Sequence, residues 1–336
     1  MCGVRKDLSA LACCSALLPV LLLGERKFLE RIRADLSRAG VVEAICLHDS
    51  ASIFDWLMGI VELQGVSDAA AVGFSRANGR ATWAEVTGAL SRPCGCPRLR
   101  AHWSFSGCGY RRTAHACAEP HRIDGCLVPL VPARNGRLSQ AAFSLALFIR
   151  DVCGGDFVGW LDGRLAKADP GLSAVDRAAR MRPAVLEPLR SVHGVSDKVL
   201  SLALADLLLA GDPGRERWVV TGASMIAVDS LVHAFLHRTG ILRRAGAEHP
   251  YGPACYGERG CAVLIEDLAR GFDARTVNPS FPAFFPRYVQ AAIWRFCAAG
   301  GWNVCNGNRI DDDHGCQQRF CPAGLSCERR TYQFSN

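Results

Sequence analysis

Little in this chain points to β structure, export or a membrane. Alternating apolar–polar runs are few, which argues against a sheet protein. One apolar run near the N-terminus, LSALACCSALLPVLLLG at 8–24, follows Arg5 and Lys6 much as an export signal would. However, Asp7 interrupts the basic start, Pro19 lies inside the run, and GERKFLERIRADL follows with no small-residue cleavage site. The run is also short for a membrane span. It reads as a buried helix or helix pair, and the chain as neither secreted nor membrane-bound. Lysine is scarce as well: Lys6, Lys27, Lys167 and Lys198 are the only lysines among 39 basic residues. The formal charge is nonetheless +7, a surplus compatible with a polyanionic partner.

Cysteine, by contrast, is abundant, at 17 residues in 336. Disulfides require an oxidising compartment. For a cytoplasmic, nucleoid-associated or nuclear protein, clustered cysteines point instead to metal or iron–sulfur ligation. The length is enough for a buried core in one or two domains. With 49% hydrophobic and 21% charged residues, a disordered chain is excluded. Helical periodicity predicts helices over 8–23, 25–39, 51–63, 67–78, 81–90, 137–152, 156–167, 172–180, 183–190, 197–210, 224–238, 261–271 and 285–299. Residues 211–223 and 245–260 read as Gly/Pro loops. Residues 92–127 are rich in Cys, His, Arg, Pro and Gly, and from Cys305 the chain is polar and punctuated by cysteine. There is no internal repeat. The expectation is an all-α body carrying two cysteine-rich elements.

Three stretches carry candidate chemistry. VHGVSDKVLSLALADLLL at 192–209 has an apolar lead-in, a Gly–apolar–small turn and a helix whose first turn holds Lys198. Such a turn points backbone N–H groups outward, where they and the helix dipole suit a phosphate oxygen, although an ordinary helical hairpin reads the same way. SMIAVDSLVHAFLHRTG at 224–240 sets Asp229 at the opening of an amphipathic helix, where a carboxylate is a common cap. IFDWLMGIVELQGVSD at 53–68 is an amphipathic helix ended by Gly65, with Gln64 beside it.

In this order the three stretches resemble the helix-hairpin-helix DNA glycosylase superfamily, closest to endonuclease III and the 8-oxoguanine glycosylases. Val192, Gly194, Val195 and Lys198 match its LPGVGxK hairpin. Val228, Asp229 and Val232 match its VDxHV segment, with Arg238 and Thr239 echoing the R-T that ends it. Gln64 matches the glutamine of its F-x-x-L-x-x-x-x-L-x-x-Q-x-x-D helix and turn. His193 and Ser196 stand where the family has a proline and a second glycine, and the 92–127 and 211–223 segments lengthen the gaps between motifs.

The resemblance implies a two-lobed helix-hairpin-helix glycosylase fold. Residues 1–48 would form N-terminal helices packing on the C-terminal lobe, and 49–210 a helical barrel lobe with the hairpin and the inserted 92–127 module. Residues 211–304 would form the C-terminal lobe carrying Asp229, and 305–336 a cluster loop and tail. It implies a monomer acting on double-stranded DNA that contains a damaged or modified base, flipped out of the stack. Asp229 would stabilise the cationic sugar, and Lys198 would attack the anomeric carbon to form a Schiff base that permits strand nicking. Gln64 would enter the gap in the duplex, while Gly194, Val195 and Ser196 held a phosphate. Two other readings stay open: a glycosylase that only removes the base, and a non-catalytic DNA-binding metalloprotein.

The terminal cysteines read Cys305-x10-Cys316-x4-Cys321-x5-Cys327, four soft ligands suited to a [4Fe–4S] cluster or structural zinc. Endonuclease III relatives end in C-x6-C-x2-C-x5-C, of which only the last spacing is kept here. The resemblance therefore implies a [4Fe–4S] cluster, holding Arg309, Arg319, Arg329 and Arg330 near DNA phosphates. The second set, Cys94, Cys96, Cys108, Cys117 and Cys126 with His102, His115 and His121 between, has no C-x2-C pair, so zinc and a second iron–sulfur centre both fit. Trp103, Phe105, Tyr110, Arg111 and Arg112 would either stack on nucleic acid or form the small core of a metal-stapled module. Cys255 and Cys261 flank a Gly-rich loop and read as free. His233 and His237 lie one helical turn apart with no third ligand evident, and read as packing or DNA-facing polarity rather than a metal site.

Overall fold

The computed structural model describes residues 17–66, 68–211, 214–307, 310, 316–324 and 326–330. Among the described residues there is no strand, only an isolated bridge between Arg111 and Ala116, so the chain is all-α. No described helix is long and apolar enough to cross a membrane. In chain order the helices are α1 (Phe28–Arg38), α2 (Val41–Leu47), α3 (Ser50–Glu62), α4 (Asp68–Asn78), α5 (Trp83–Leu90), α6 (Gly136–Asp151) and α7 (Phe157–Ala168). There follow α8 (Arg177–Leu189), α9 (Asp197–Ala210), α10 (Glu216–Ser224), α11 (Ser230–Arg238), α12 (Ile241–Arg244), α13 (Cys261–Arg270) and α14 (Pro286–Cys297). They divide between two compact units, one over 32–221 and one formed by 1–31 with 222–336.

The first unit is built around α6, whose residues are buried from Leu138 through Ile149. A helix apolar on every face belongs in a core. Helices α3 and α5 and the 3-10 turn His102–Gly107 pack on it, while α9 packs on α3 and α8 on α7. Helix α8 is one element where 172–180 and 183–190 are expected as two. It runs through Pro183 and Pro188 because Met181, Val185, Leu186 and Leu189 are buried along it. Helix α10 forms where a Gly/Pro loop is expected. Trp218 is fully buried and donates its indole N–H to Asp162 at 2.6 Å, and Arg177 pairs with Glu216. These long-range anchors outweigh the local loop signal.

In the second unit α11 packs on α14 and α12, and α13 on α14. Phe235 meets Phe296 edge-on at 5.9 Å, and Ile265, Val289 and Ile293 close the core around them. The described part of the N-terminal apolar run is helical over 17–22. Its Leu17, Val20 and Leu21 join this core, and Tyr288 donates its hydroxyl to the Leu21 carbonyl at 2.8 Å.

Candidate functional site

Between α8 and α9 the chain makes a tight turn at Gly194, whose φ of 85° lies in the left-handed region. A side chain there would also meet the Arg137 carbonyl at 3.0 Å, so glycine is required on two counts. Val192, Val195, Val199 and Leu200 turn inward against Leu57, Val61 and Leu145, which explains the apolar spacing of the motif. Ser196 precedes α9 without capping it through its side chain. The amides of the first turn therefore have no intrahelical acceptor. Lys198 stands in that turn, half-buried and without a hydrogen bond or ion pair to any described residue. Arg190 neutralises the neighbouring Asp197 at 2.8 Å.

Gln64 braces this turn. Its amide donates to the Gly194 carbonyl at 2.9 Å and accepts from the Ser196 amide at 2.9 Å. Arg134 in turn donates to the carbonyls of Glu62 and Gln64, at 3.2 and 2.9 Å. The glutamine expected to enter a DNA gap thus has both ends of its amide engaged with the hairpin backbone. His193, where the family has proline, donates its amide to Ser144 at 2.9 Å and stacks on Phe105 of the cysteine-rich insertion. A proline would have no N–H for that bond.

The insertion docks on α6. Gln140 donates to the Cys108 carbonyl and sulfur at 3.1 and 3.3 Å, and Ser144 donates to the His102 carbonyl at 2.7 Å. The thiols of Cys96, Cys108, Cys117 and Cys126 converge closely enough to act on one another electrostatically. Burial pushes the Cys126 thiol up to about 11 and raises that of Cys96, with the neighbouring thiols adding to both. The Glu119 amide donates to the Cys117 sulfur at 3.4 Å, and amides two residues on do the same for Cys96 and Cys126. Cys94 sits beside this set, donating to the Gly125 carbonyl at 3.5 Å and accepting from the Cys96 amide. His102 is buried in edge contact with Trp103 and Phe148, while His115 and His121 are exposed. Phe105 and Tyr110 are core, whereas Trp103 is 63% exposed and Arg111 is also at the surface. Arg112 donates to the Val131 carbonyl.

In the second unit Asp229 is the N-cap of α11, accepting from the Val232 amide at 2.9 Å. The far end of the same helix meets the terminal cysteines. Cys327 donates its thiol to the Arg238 carbonyl at 3.7 Å, and the Arg330 amide donates to the same carbonyl at 3.1 Å. Gly240, at φ 77°, allows the Glu328 carboxylate to approach where a side chain would collide with it. The thiols of Cys305, Cys316, Cys321 and Cys327 lie within electrostatic reach of one another, and the Arg329 amide donates to the Cys327 sulfur at 3.4 Å. A hydrogen bond from Cys297, with Arg238 nearby, holds the buried Cys305 thiol below its ordinary range. Arg319 is exposed, Arg330 pairs with Glu248, and Arg309 lies outside the described residues.

One group was not expected. Ligand atoms of His233, His249, Cys255 and Cys261 all lie within 4.8 Å of one another, so these four residues could hold a metal ion. Cys255 and Cys261 are therefore not isolated thiols, and His233 does have further candidate ligands, from the 245–260 loop and the start of α13. Because His249, Cys255 and Cys261 are spaced by five residues and His233 lies far upstream, no short motif announces them. The signal available was the 245–260 loop, which holds His249 and Cys255 and is followed at once by Cys261. No protein-family model, curated protein or solved structure matches this chain.

Proposed function

We propose that this chain is a DNA glycosylase with lyase activity, of the helix-hairpin-helix kind, which removes a damaged or modified base from duplex DNA. The observation that carries the reading is the hairpin: a left-handed Gly194, uncapped first-turn amides and a half-buried Lys198 that has no partner among the described residues. A solvated lysine would stand in water. One held at the mouth of an anion-binding turn can reach the sugar of a strand whose phosphate that turn binds.

In this reading the amides of Asp197, Lys198 and Val199 bind the phosphate. The neutral amine of Lys198 attacks C1′ of the flipped nucleotide as the C1′–N bond breaks and the base leaves with the bonding pair. Asp229 takes the role its motif implies, stabilising positive charge on the sugar as a carboxylate. The proton that the amine sheds goes to the departing base. The C1′–O4′ bond then opens, O4′ keeping the bonding pair and taking a proton from water. The iminium so formed acidifies C2′, whose proton loss expels the 3′ phosphate and nicks the strand. Gln64 keeps the phosphate-binding turn in shape.

We read the two cysteine sets as iron–sulfur ligands, on the resemblance for the terminal set and on the amides that donate to sulfur in both. Amide donors to sulfur are the usual surroundings of such clusters. Cys305, Cys316, Cys321 and Cys327 would hold a [4Fe–4S] cluster, and Cys96, Cys108, Cys117 and Cys126 a second centre. Such clusters would supply structural cross-links here, fixing Arg319 and Arg329 in one place and Trp103 and Arg111 in another for contact with DNA.

Asp229→Asn tests the reading cleanly. Asparagine caps a helix as well as aspartate does, so the Val232 amide keeps its acceptor while the charge disappears. The expected outcome is loss of base excision by at least 100-fold with melting temperature and duplex binding unchanged. No excision by the wild type on a panel of duplexes bearing different modified bases would leave the chain as a DNA-binding metalloprotein, and excision by Asp229→Asn at the wild-type rate would remove Asp229 from the chemistry.

A further inference from the structure

The group formed by His233, His249, Cys255 and Cys261 belongs to neither cysteine set and to no part of the mechanism above. We propose that it is a closed, tetrahedral zinc site that fixes the start of α11, and with it Asp229. The site stands on its own geometry; only the consequence for Asp229 rests on the glycosylase reading.

The distances match one small ion. With Zn–S near 2.3 Å and Zn–N near 2.0–2.1 Å, tetrahedral geometry sets sulfur and nitrogen about 3.5 Å apart. His233 Nδ1 lies 3.2 Å from Cys261 Sγ and 3.5 Å from Cys255 Sγ, and His249 Nε2 lies 3.4 Å from Cys261 Sγ. Ordinary hydrogen bonding does not account for this. An imidazole nitrogen has one in-plane hydrogen or one lone pair, yet two sulfurs close on His233 Nδ1, and one of those sulfurs also closes on a second imidazole. Four ligand atoms within 4.8 Å of one another, with Cys255 and Cys261 at 0% exposure and His233 at 1%, describe a metal cage.

The outer contacts agree. His249 Nδ1 lies 2.6 Å from the Ala247 carbonyl, so that nitrogen carries the proton and Nε2 presents its lone pair to the centre. Two thiolates and two imidazoles suit zinc, and four protein ligands leave no open position, which marks the site as structural. Its ligand atoms span no more than 4.8 Å.

What the site ties together gives it a role. His233 comes from α11, His249 and Cys255 from the 245–260 loop, and Cys261 from the first position of α13. The residue after Cys255, Tyr256, accepts the Val228 amide at its hydroxyl at 2.9 Å. Asp229 is thus flanked by two attachments to the same loop. Val228 is bound to Tyr256 just before it, and His233 is ligated one turn after it. A long Gly-rich loop would otherwise hold that backbone loosely.

The test is made on the full-length chain purified anaerobically, with zinc and iron measured by mass spectrometry. Wild type is expected to carry zinc, and His249→Ala, which removes the least buried ligand, to lose one zinc equivalent per chain with iron unchanged. His249→Cys, a ligand of another kind, is expected to keep it. Cobalt loaded into the zinc-depleted wild type should show the intense visible bands of a tetrahedral thiolate–imidazole site, and His249→Ala should not. If His249→Ala fails to fold, the wild type alone decides. Cys255 and Cys261 should alkylate faster with a zinc chelator than without it. The proposal is overturned by equal zinc in wild type and a folded His249→Ala, by chelator-independent alkylation, or by a Cys255–Cys261 disulfide in the peptide map. Base excision by a zinc-free protein at the full rate would overturn the role assigned toward Asp229 while leaving the site itself.

Discussion

Replacing Gln64 by methionine keeps the length and apolar stem of the side chain and removes both of its hydrogen bonds to the hairpin. Each is worth about 1 kcal/mol net, and the Gly194 carbonyl and Ser196 amide are half-buried, so water replaces the lost partners only in part. A loss of about 2 kcal/mol follows, or ~4–8 °C in melting temperature for a unit of this size. If the hairpin opens locally rather than with the whole unit, the Ser196 amide should exchange roughly thirty-fold faster, at 1.4 kcal/mol per decade. Hydrogen exchange resolved to that amide, with thermal denaturation beside it, measures both. Gln64→Glu should be worse than methionine, because its carboxylate would set a half-buried negative charge against the Gly194 carbonyl oxygen. A Gln64→Met protein with unchanged melting and unchanged exchange at Ser196, yet impaired on duplex DNA, would refute the bracing role and restore the glutamine to the DNA gap.

Arg177 forms a bidentate pair with Asp169 and also pairs with Glu216; both side chains of the first pair are less than a tenth exposed. Arg177→Ala should cost about 2 kcal/mol, read by urea denaturation, because the buried Asp169 carboxylate loses its bidentate partner and keeps only Arg217 and the Gly171 amide. The same pair predicts a pH dependence. The hydrogen bonds of Arg177 hold the Asp169 carboxyl far below the ordinary carboxylate range. Its contribution is therefore complete above the unfolded value near 3.9 and is lost as pH falls toward the lower folded one. Melting temperature should drop below about pH 4 in wild type, and less steeply in Asp169→Asn; identical slopes would contradict this. In the iron–sulfur reading, Cys117→Ser should reduce iron by about half with the remaining visible absorption intact, because the terminal set keeps its own cluster. Unchanged iron would assign the insertion to another metal.

Much of the helical body was legible because its periodicity is strong. Helices α6 and α9 are long and apolar, and their positions follow from the pattern of residues such as Leu138 and Leu204. Helix α2 was not legible: at seven residues between left-handed Gly40 and His48 it is too short to show a period. Helix α10 depends on partners far along the chain, Asp162 and Arg177, that no local window contains. The same distinction runs through the sites. The Gly194 turn and the Asp229 cap are local, and were placed by motif. The brace from Gln64 spans 130 residues, and the His233–Cys261 contact joins a helix interior to the start of another helix 28 residues on. Spacing rules register ligands that are close in sequence, and these become close only in the folded unit.

Lys198 carries the central claim, and borohydride trapping reads it directly. The protein is incubated with a duplex holding a single abasic site, sodium borohydride is added, and any amine–sugar conjugate is separated from free DNA in a denaturing gel. The account predicts a covalent adduct in wild type that vanishes in Lys198→Ala, a substitution that removes no hydrogen bond to a described residue and should leave the fold intact. Peptide mapping should find the sugar on Lys198. No adduct in wild type, or one undiminished in Lys198→Ala, would contradict it.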